Sequence, residues 1–173
     1  MSKIQKSSKF GFSDFDEILY RKEENRKYRP TLFDILAHTA LQFYTTPENS
    51  INKPKDTFEI DNEAILCEAY TSSFLNFGSS ENLSLQSRAL EIYQQLVAFH
   101  FGDPDMSALV LVDIERLRFI HKNATFTNKD DLFIEVLQNS AENIKHNALS
   151  GLYSYEIALQ YQQLGLTFRP TEN

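Results

Sequence analysis

The feature that most limits what this chain can fold into is a series of helix-start signals, each followed by apolar residues at helical spacing. Ser13-x-x-Asp16, Thr31-x-x-Asp34 and Thr127-x-x-Asp130 each place a hydroxyl three residues ahead of an acid. That is the pattern of a capping box, in which the hydroxyl accepts a free N–H of the first turn, with Asp standing in for the usual Glu or Gln. A fourth start is Asp103-Pro104, a capping acid followed by a proline at the first helical position, where no N–H is missed. Gly102 and Gly165 sit where helices should stop.

Between these signals the apolar residues keep helical time. Leu85, Ala89, Ile92, Leu96 and Phe99 form one stripe, and Met106, Val110, Ile114, Leu117 and Ile120 form a matching one beyond Gly102. They predict an antiparallel hairpin over residues 84–122. Phe133, Val136, Leu137, Ser140 and Ile144, followed by Leu152, Tyr155, Ala158 and Leu159, predict a second hairpin over 127–165. The expected fold is therefore all-α, about six or seven helices arranged as antiparallel hairpins in a tetratricopeptide-like or α-solenoid array.

The N-terminal half, residues 13–82, is less regular. Helices are expected from Phe15 to Lys27, from Thr31 through Leu32, Leu36, Ala40 and Phe43, and from Glu63 to Leu75. Between the last two, Pro47 and Pro54 break any helix and leave a long loop near residues 45–61, with Phe58 and Ile60 as the side chains that pin it down. Asn76 to Asn82 reads as a polar connector.

Composition supports one domain across all 173 residues: 42% are hydrophobic, with fourteen Phe, enough apolar surface for a core. The net charge of −7 argues against a nucleic-acid backbone or an anionic membrane as natural partner. The only basic cluster, Arg21 to Arg29, is interrupted by Glu23 and Glu24 and reads as solvated helix surface. No segment predicts membrane insertion, and the first ten residues lack the apolar stretch of a secretory signal.

Little in the chain points to catalysis. Cys67, the single cysteine, lies in an apolar setting and reads as a buried structural thiol. His38, His100, His121 and His146 are scattered, without second ligands at metal spacing, and Asp113, Glu115 and Glu135 read as solvated or ion-paired helix residues. No phosphate loop, nucleophile elbow or zinc-protease motif occurs. The expectation is no enzyme, no metal and no cofactor. The last helix carries Tyr155-x-x-Ala158-x-x-Tyr161-x-x-x-Gly165, like the first helix of a tetratricopeptide unit whose second helix would follow. The chain then reads as a fragment of something longer, and Tyr155, Tyr161 and Gln162 are the candidate partner-facing residues.

One resemblance spans most of the chain. Tyr28-Arg29-Pro30-Thr31-Leu32-Phe33-Asp34-Ile35-Leu36-Ala37-His38 continues through Thr39-Ala40-Leu41-Gln42-Phe43-Tyr44 and is followed by Phe58-Glu59-Ile60-Asp61. Next come Arg88-Ala89-Leu90-Glu91-Ile92-Tyr93-Gln94, Ala98-Phe99-His100 and Asp113-x-x-Arg116-Leu117-x-Phe119. In order and spacing these resemble the helical region ahead of the macroglobulin domains in large alpha-2-macroglobulin-like proteins of Bacteroidetes. The resemblance implies a non-catalytic scaffold or protein-interaction module, with neighbouring domains of the parent chain as partners, in the periplasm or at the outer membrane. The parent's protease-trapping thioester needs Cys-x-x-Gln, whereas Cys67 is followed by Glu68, Ala69 and Tyr70, so that chemistry is not expected here. The other reading open to the residues is a stand-alone tetratricopeptide-like adaptor that binds a protein or peptide.

Overall fold

The computed structural model describes residues 27–46, 58–76 and 84–168, and among them the regular structure is helical. The helices are α1 (Leu32–Thr45), α2 (Ala69–Ser72), α3 (Leu85–His100), α4 (Ser107–Asn123), α5 (Lys129–Asn143) and α6 (Ser150–Thr167), with a 3-10 turn at Glu63–Ile65. The expected helix ahead of Lys27 and its Ser13 cap lie outside the described residues, as do most of the loop after Thr46 and of the connector after Asn76.

Three antiparallel pairings follow from side chains that meet at opposite ends of neighbouring helices. Gln86 at the start of α3 donates to Asn123 at the end of α4 (3.2 Å), and Gln160 late in α6 donates to Asp130 at the start of α5 (3.0 Å). Asp34 at the start of α1 meets His100 at the end of α3 (2.6 Å), where Phe33 and Phe99 also pack ring to ring. By contrast, α6 runs parallel to α4, since Asp113 and Arg118 of α4 bond in order to Tyr153 and Glu156 of α6.

The core gathers around α4. Val110, Val112, Ile114, Leu117 and Ile120 are buried there against Leu90, Leu96 and Val97 of α3 and Val136 and Leu137 of α5. The apolar residues of α4 are not confined to one stripe, because α4 is covered on most of its circumference. Ile60 anchors the segment after the loop as expected. It is fully buried, forms an isolated parallel bridge with Ala124, and its carbonyl accepts the Thr125 N–H at 3.0 Å, while Phe58 is partly buried against the core.

Several local expectations need correction. At Thr31 the capping box is complete, with both reciprocal bonds present. At the fourth start, Asp103 does not cap: its carboxylate turns back to His100, and α4 begins only at Ser107, whose N–H is taken by Asp105 at 2.8 Å. The Asp130 carboxylate likewise bonds His121 and Gln160 instead of a backbone N–H of its own first turn, so α5 starts without a side-chain cap. At Asp130 contacts more distant in sequence outcompete the cap, and at Asp103 a histidine three residues back does. The expected helix from Glu63 to Leu75 is split, because the Cys67 carbonyl bonds the Arg116 guanidinium (2.5 Å). Gly102 follows the end of α3 without a left-handed backbone, and Gly165 lies within α6, which continues to Thr167.

Candidate functional site

Two arrangements stand out from ordinary core packing: the outward side of α6 and a set of polar clusters sealed inside.

Helix α6 is set in place by polar side chains. Its buried residues are Tyr153, Glu156 and Gln160, one to each helical turn on one side. The Tyr153 hydroxyl donates to Asp113 at 2.8 Å, Glu156 receives both the Nε–H (2.6 Å) and an Nη–H of Arg118, and Gln160 reaches Asp130. The inward stripe expected through Leu152, Tyr155, Ala158 and Leu159 is therefore wrong in phase. Tyr155 is 60% exposed, Ala158 is exposed, and Leu152 and Leu159 lie at the margin. The error arose because three of the inward positions carry polar atoms, which a hydrophobic pattern does not count.

The turned-out side gathers what the sequence had marked as partner-facing. Tyr155 and Tyr161 (55% exposed) project into solvent with Gln162, beside Gly151, Ala158 and Gly165 at every seventh position. Leu166 and Phe168 extend the exposed apolar surface at the helix end. The only charged residue of α6 is the buried Glu156, so its outward side carries no charge. The face is thus free of charge and combines exposed Tyr with small residues.

The internal clusters draw on residues from α1, the end of α3 and α4. Asp34 Oδ2 accepts from the Thr31 backbone N–H (2.8 Å) and hydroxyl (2.7 Å), while its Oδ1 meets His100. Burial alone would raise the Asp34 pKa, but the hydrogen bonds and charge of His100 and the Thr31 donors outweigh it and hold the carboxyl below its ordinary range. His38 donates through Nδ1 to the Asp34 carbonyl (2.7 Å) and turns Nε2 toward Glu115 at 3.2 Å, off the line of a hydrogen bond. Glu115 also faces Arg29 at 3.4 Å, and despite burial the adjacent His38 and Arg29 hold its carboxyl below the usual range. Arg29 is thus tied to α4, not part of a solvated basic face.

A second cluster joins α4, α6 and the segment before α2. Arg116 binds Asp113 Oδ1 through Nε (3.1 Å) and Nη2 (2.6 Å) and holds the Cys67 carbonyl, while Tyr153 takes Asp113 Oδ2. Asp113 is not a solvated helix carboxylate but a fully buried one. Burial, then the adjacent Asp113 charge, pushes the Tyr153 phenol far up, so it serves as a fixed donor. His121 stacks flat on Phe133 (4.4 Å between centroids) and bonds Asp130, His146 is exposed, and Glu135 is a solvated helix residue.

These clusters hold helices together. A cleft of about 220 Å³ is lined by Leu66, Cys67, Glu68, Thr71, Glu135 and Asn139. Cys67 there is half-buried, and its thiol pKa is raised by burial, so it is a poor nucleophile. Among the described residues no group of three or more His, Cys, Asp or Glu could hold a metal ion, and no helix is long and apolar enough to cross a membrane. Compared with known protein families, curated proteins and solved structures, the chain matches none.

Proposed function

We propose that this chain is a non-catalytic helical protein-interaction module, the helical region of a large alpha-2-macroglobulin-like envelope protein, and that its α6 face receives a neighbouring helix of the parent polypeptide. The observation that carries this reading is the uncharged outward side of α6, with Tyr155, Ala158, Tyr161 and Gln162 in line. Antiparallel pairing of α3 with α4 and α5 with α6, with α4 and α6 parallel, supports a tetratricopeptide-like stack in which a further helix pair would add on that side. Convergence of Arg29, Asp34, His38, His100, Asp113 and Arg116 in two buried clusters supports a scaffold, because it gives the shared motif residues a structural task. In this reading the module positions macroglobulin domains in the periplasm or at the outer membrane.

The test is site-specific photo-cross-linking from Tyr155 and Tyr161 in the native cell. Cross-links to macroglobulin domains, lost in an Ala158→Lys variant of unchanged stability, are expected. Cross-links solely to a separate soluble protein would replace this reading with the stand-alone adaptor, and no adduct at either position would remove α6 as an interface.

A further inference from the structure

His100 closes α3 with its ring out of solvent and a carboxylate at each ring nitrogen. Asp34 of α1 lies 2.6 Å from Nε2, and Asp103 of the α3–α4 turn lies 2.7 Å from Nδ1. Carboxylates that ionise only accept hydrogen bonds, so this arrangement asks for a proton on both nitrogens. A neutral ring has one N–H and would set a lone pair against one of the two acids.

The two acids are not equivalent. The Asp34 side chain is fully buried, and its second oxygen is already committed to Thr31. Asp103 is 38% exposed and has water as an alternative partner. Leaving a buried carboxylate without its cation is much the costlier choice. Other charges stand one step away. His38 touches the ring system only through the Asp34 carbonyl, Glu115 and Arg29 lie beyond His38, and Asp105, next in the turn, feels the charge of Lys27.

We infer that His100 is a pH-sensitive latch: when it loses a proton it keeps Nε2–H on Asp34, releases Asp103, and frees the turn between α3 and α4. That turn carries Phe101, whose ring lies 5.3 Å from Tyr70, itself 5.1 Å from Phe74, in an exposed aromatic cluster. Release of the turn therefore loosens one side of that cluster while α1 stays docked. Burial pulls the His100 pKa down, but the hydrogen bonds and charges of the two acids outweigh it, and the net shift is above the ordinary 6.5. The latch accordingly contributes its full stabilisation below about pH 6.5 and loses it as pH rises through the higher folded-state value.

The test is a titration of the whole chain by nitrogen-15 NMR, following the His100 ring nitrogens and the backbone amides together. The expected result is a ring doubly protonated at about pH 6, with Nδ1 losing its proton first at a midpoint above the ordinary histidine value. The amides of Phe101 to Asp105 should shift with that midpoint and those of Thr31 to His38 should not. In Asp103→Asn, which removes a partly exposed charge and should leave the helical circular dichroism intact, the midpoint should fall and the turn should stop responding. A ring already neutral at about pH 6, no titration up to about pH 10, loss of the Nε2 proton first, or a silent turn would each overturn the latch.

Discussion

Of the seventeen residues of α4, eleven are buried and eight of those are apolar, whereas α6, running parallel beside it, buries three of eighteen, each ending in a hydrogen-bonding group. Apolar burial supplies most of the free energy of a fold but is non-directional. A helix held by it alone could slide or roll at small cost. The contacts from Tyr153 to Asp113, Glu156 to Arg118 and Gln160 to Asp130 give α6 one register, and that register turns its uncharged side outward. The central helix supplies stability, and the edge helix supplies orientation.

The contrast can be broken most forcefully where the two helices share a residue. Asp113→Ala leaves the Arg116 guanidinium and the Tyr153 hydroxyl without their acceptor, and urea unfolding should show a loss of about 3–5 kcal/mol. A loss under about 1 kcal/mol would mean that this cluster does not fix α6. Leu117→Ala, at a wholly buried site of α4, should cost about 2–5 kcal/mol and leave the α6 side chains in register by NMR. Tyr153→Phe removes a single donor from Asp113 and should cost about 1–3 kcal/mol, with hydrogen exchange rising in α6 ahead of α4. Equal acceleration in both helices would erase the distinction drawn here. Smallest of all, Tyr155→Ser combined with Tyr161→Ser should move stability by no more than about 0.5 kcal/mol while abolishing cross-links from a photoreactive residue placed at Gln162.

Where local physics and tertiary structure agree, the sequence was readable. The Thr31 box, the long helices from Leu85 onward and the burial of Ile60 follow from capping chemistry and apolar spacing, and all were anticipated. The failures share one cause. Asp130 looks like a cap and Glu156 and Gln160 look like surface, because each is defined by a side chain outside its own helix, while Asp103 is drawn off its cap by the buried His100 that precedes it. Tyr155, Tyr161 and Gln162, the residues expected from the motif to face a partner, are exposed, although the hydrophobic stripe had placed Tyr155 inside. Weighing buried-capable polar residues such as Tyr153 and Gln160 with the apolar ones would have set the phase of α6 correctly. The clusters around Asp34 and Asp113 could not be assembled from spacing, since their members lie on separate helices and the segment between them.

The bond from Arg116 to the Cys67 carbonyl, with the Ile60 bridge to Ala124, also bears on the order in which the chain comes into being. Both late-made partners belong to α4 or to the residue after it, so during synthesis the stretch from Ile60 to Cys67 gains these two anchors only once α4 has left the ribosome, whereas the Ser72 and Leu75 carbonyls are already held by Gln94 of α3. Contacts of such long sequence separation form only once both ends exist. A nascent chain arrested before α4 emerges should be digested by protease between Phe58 and Cys67, and one arrested after it should be protected there. Protection in the shorter chain would show that this segment finds its structure without α4.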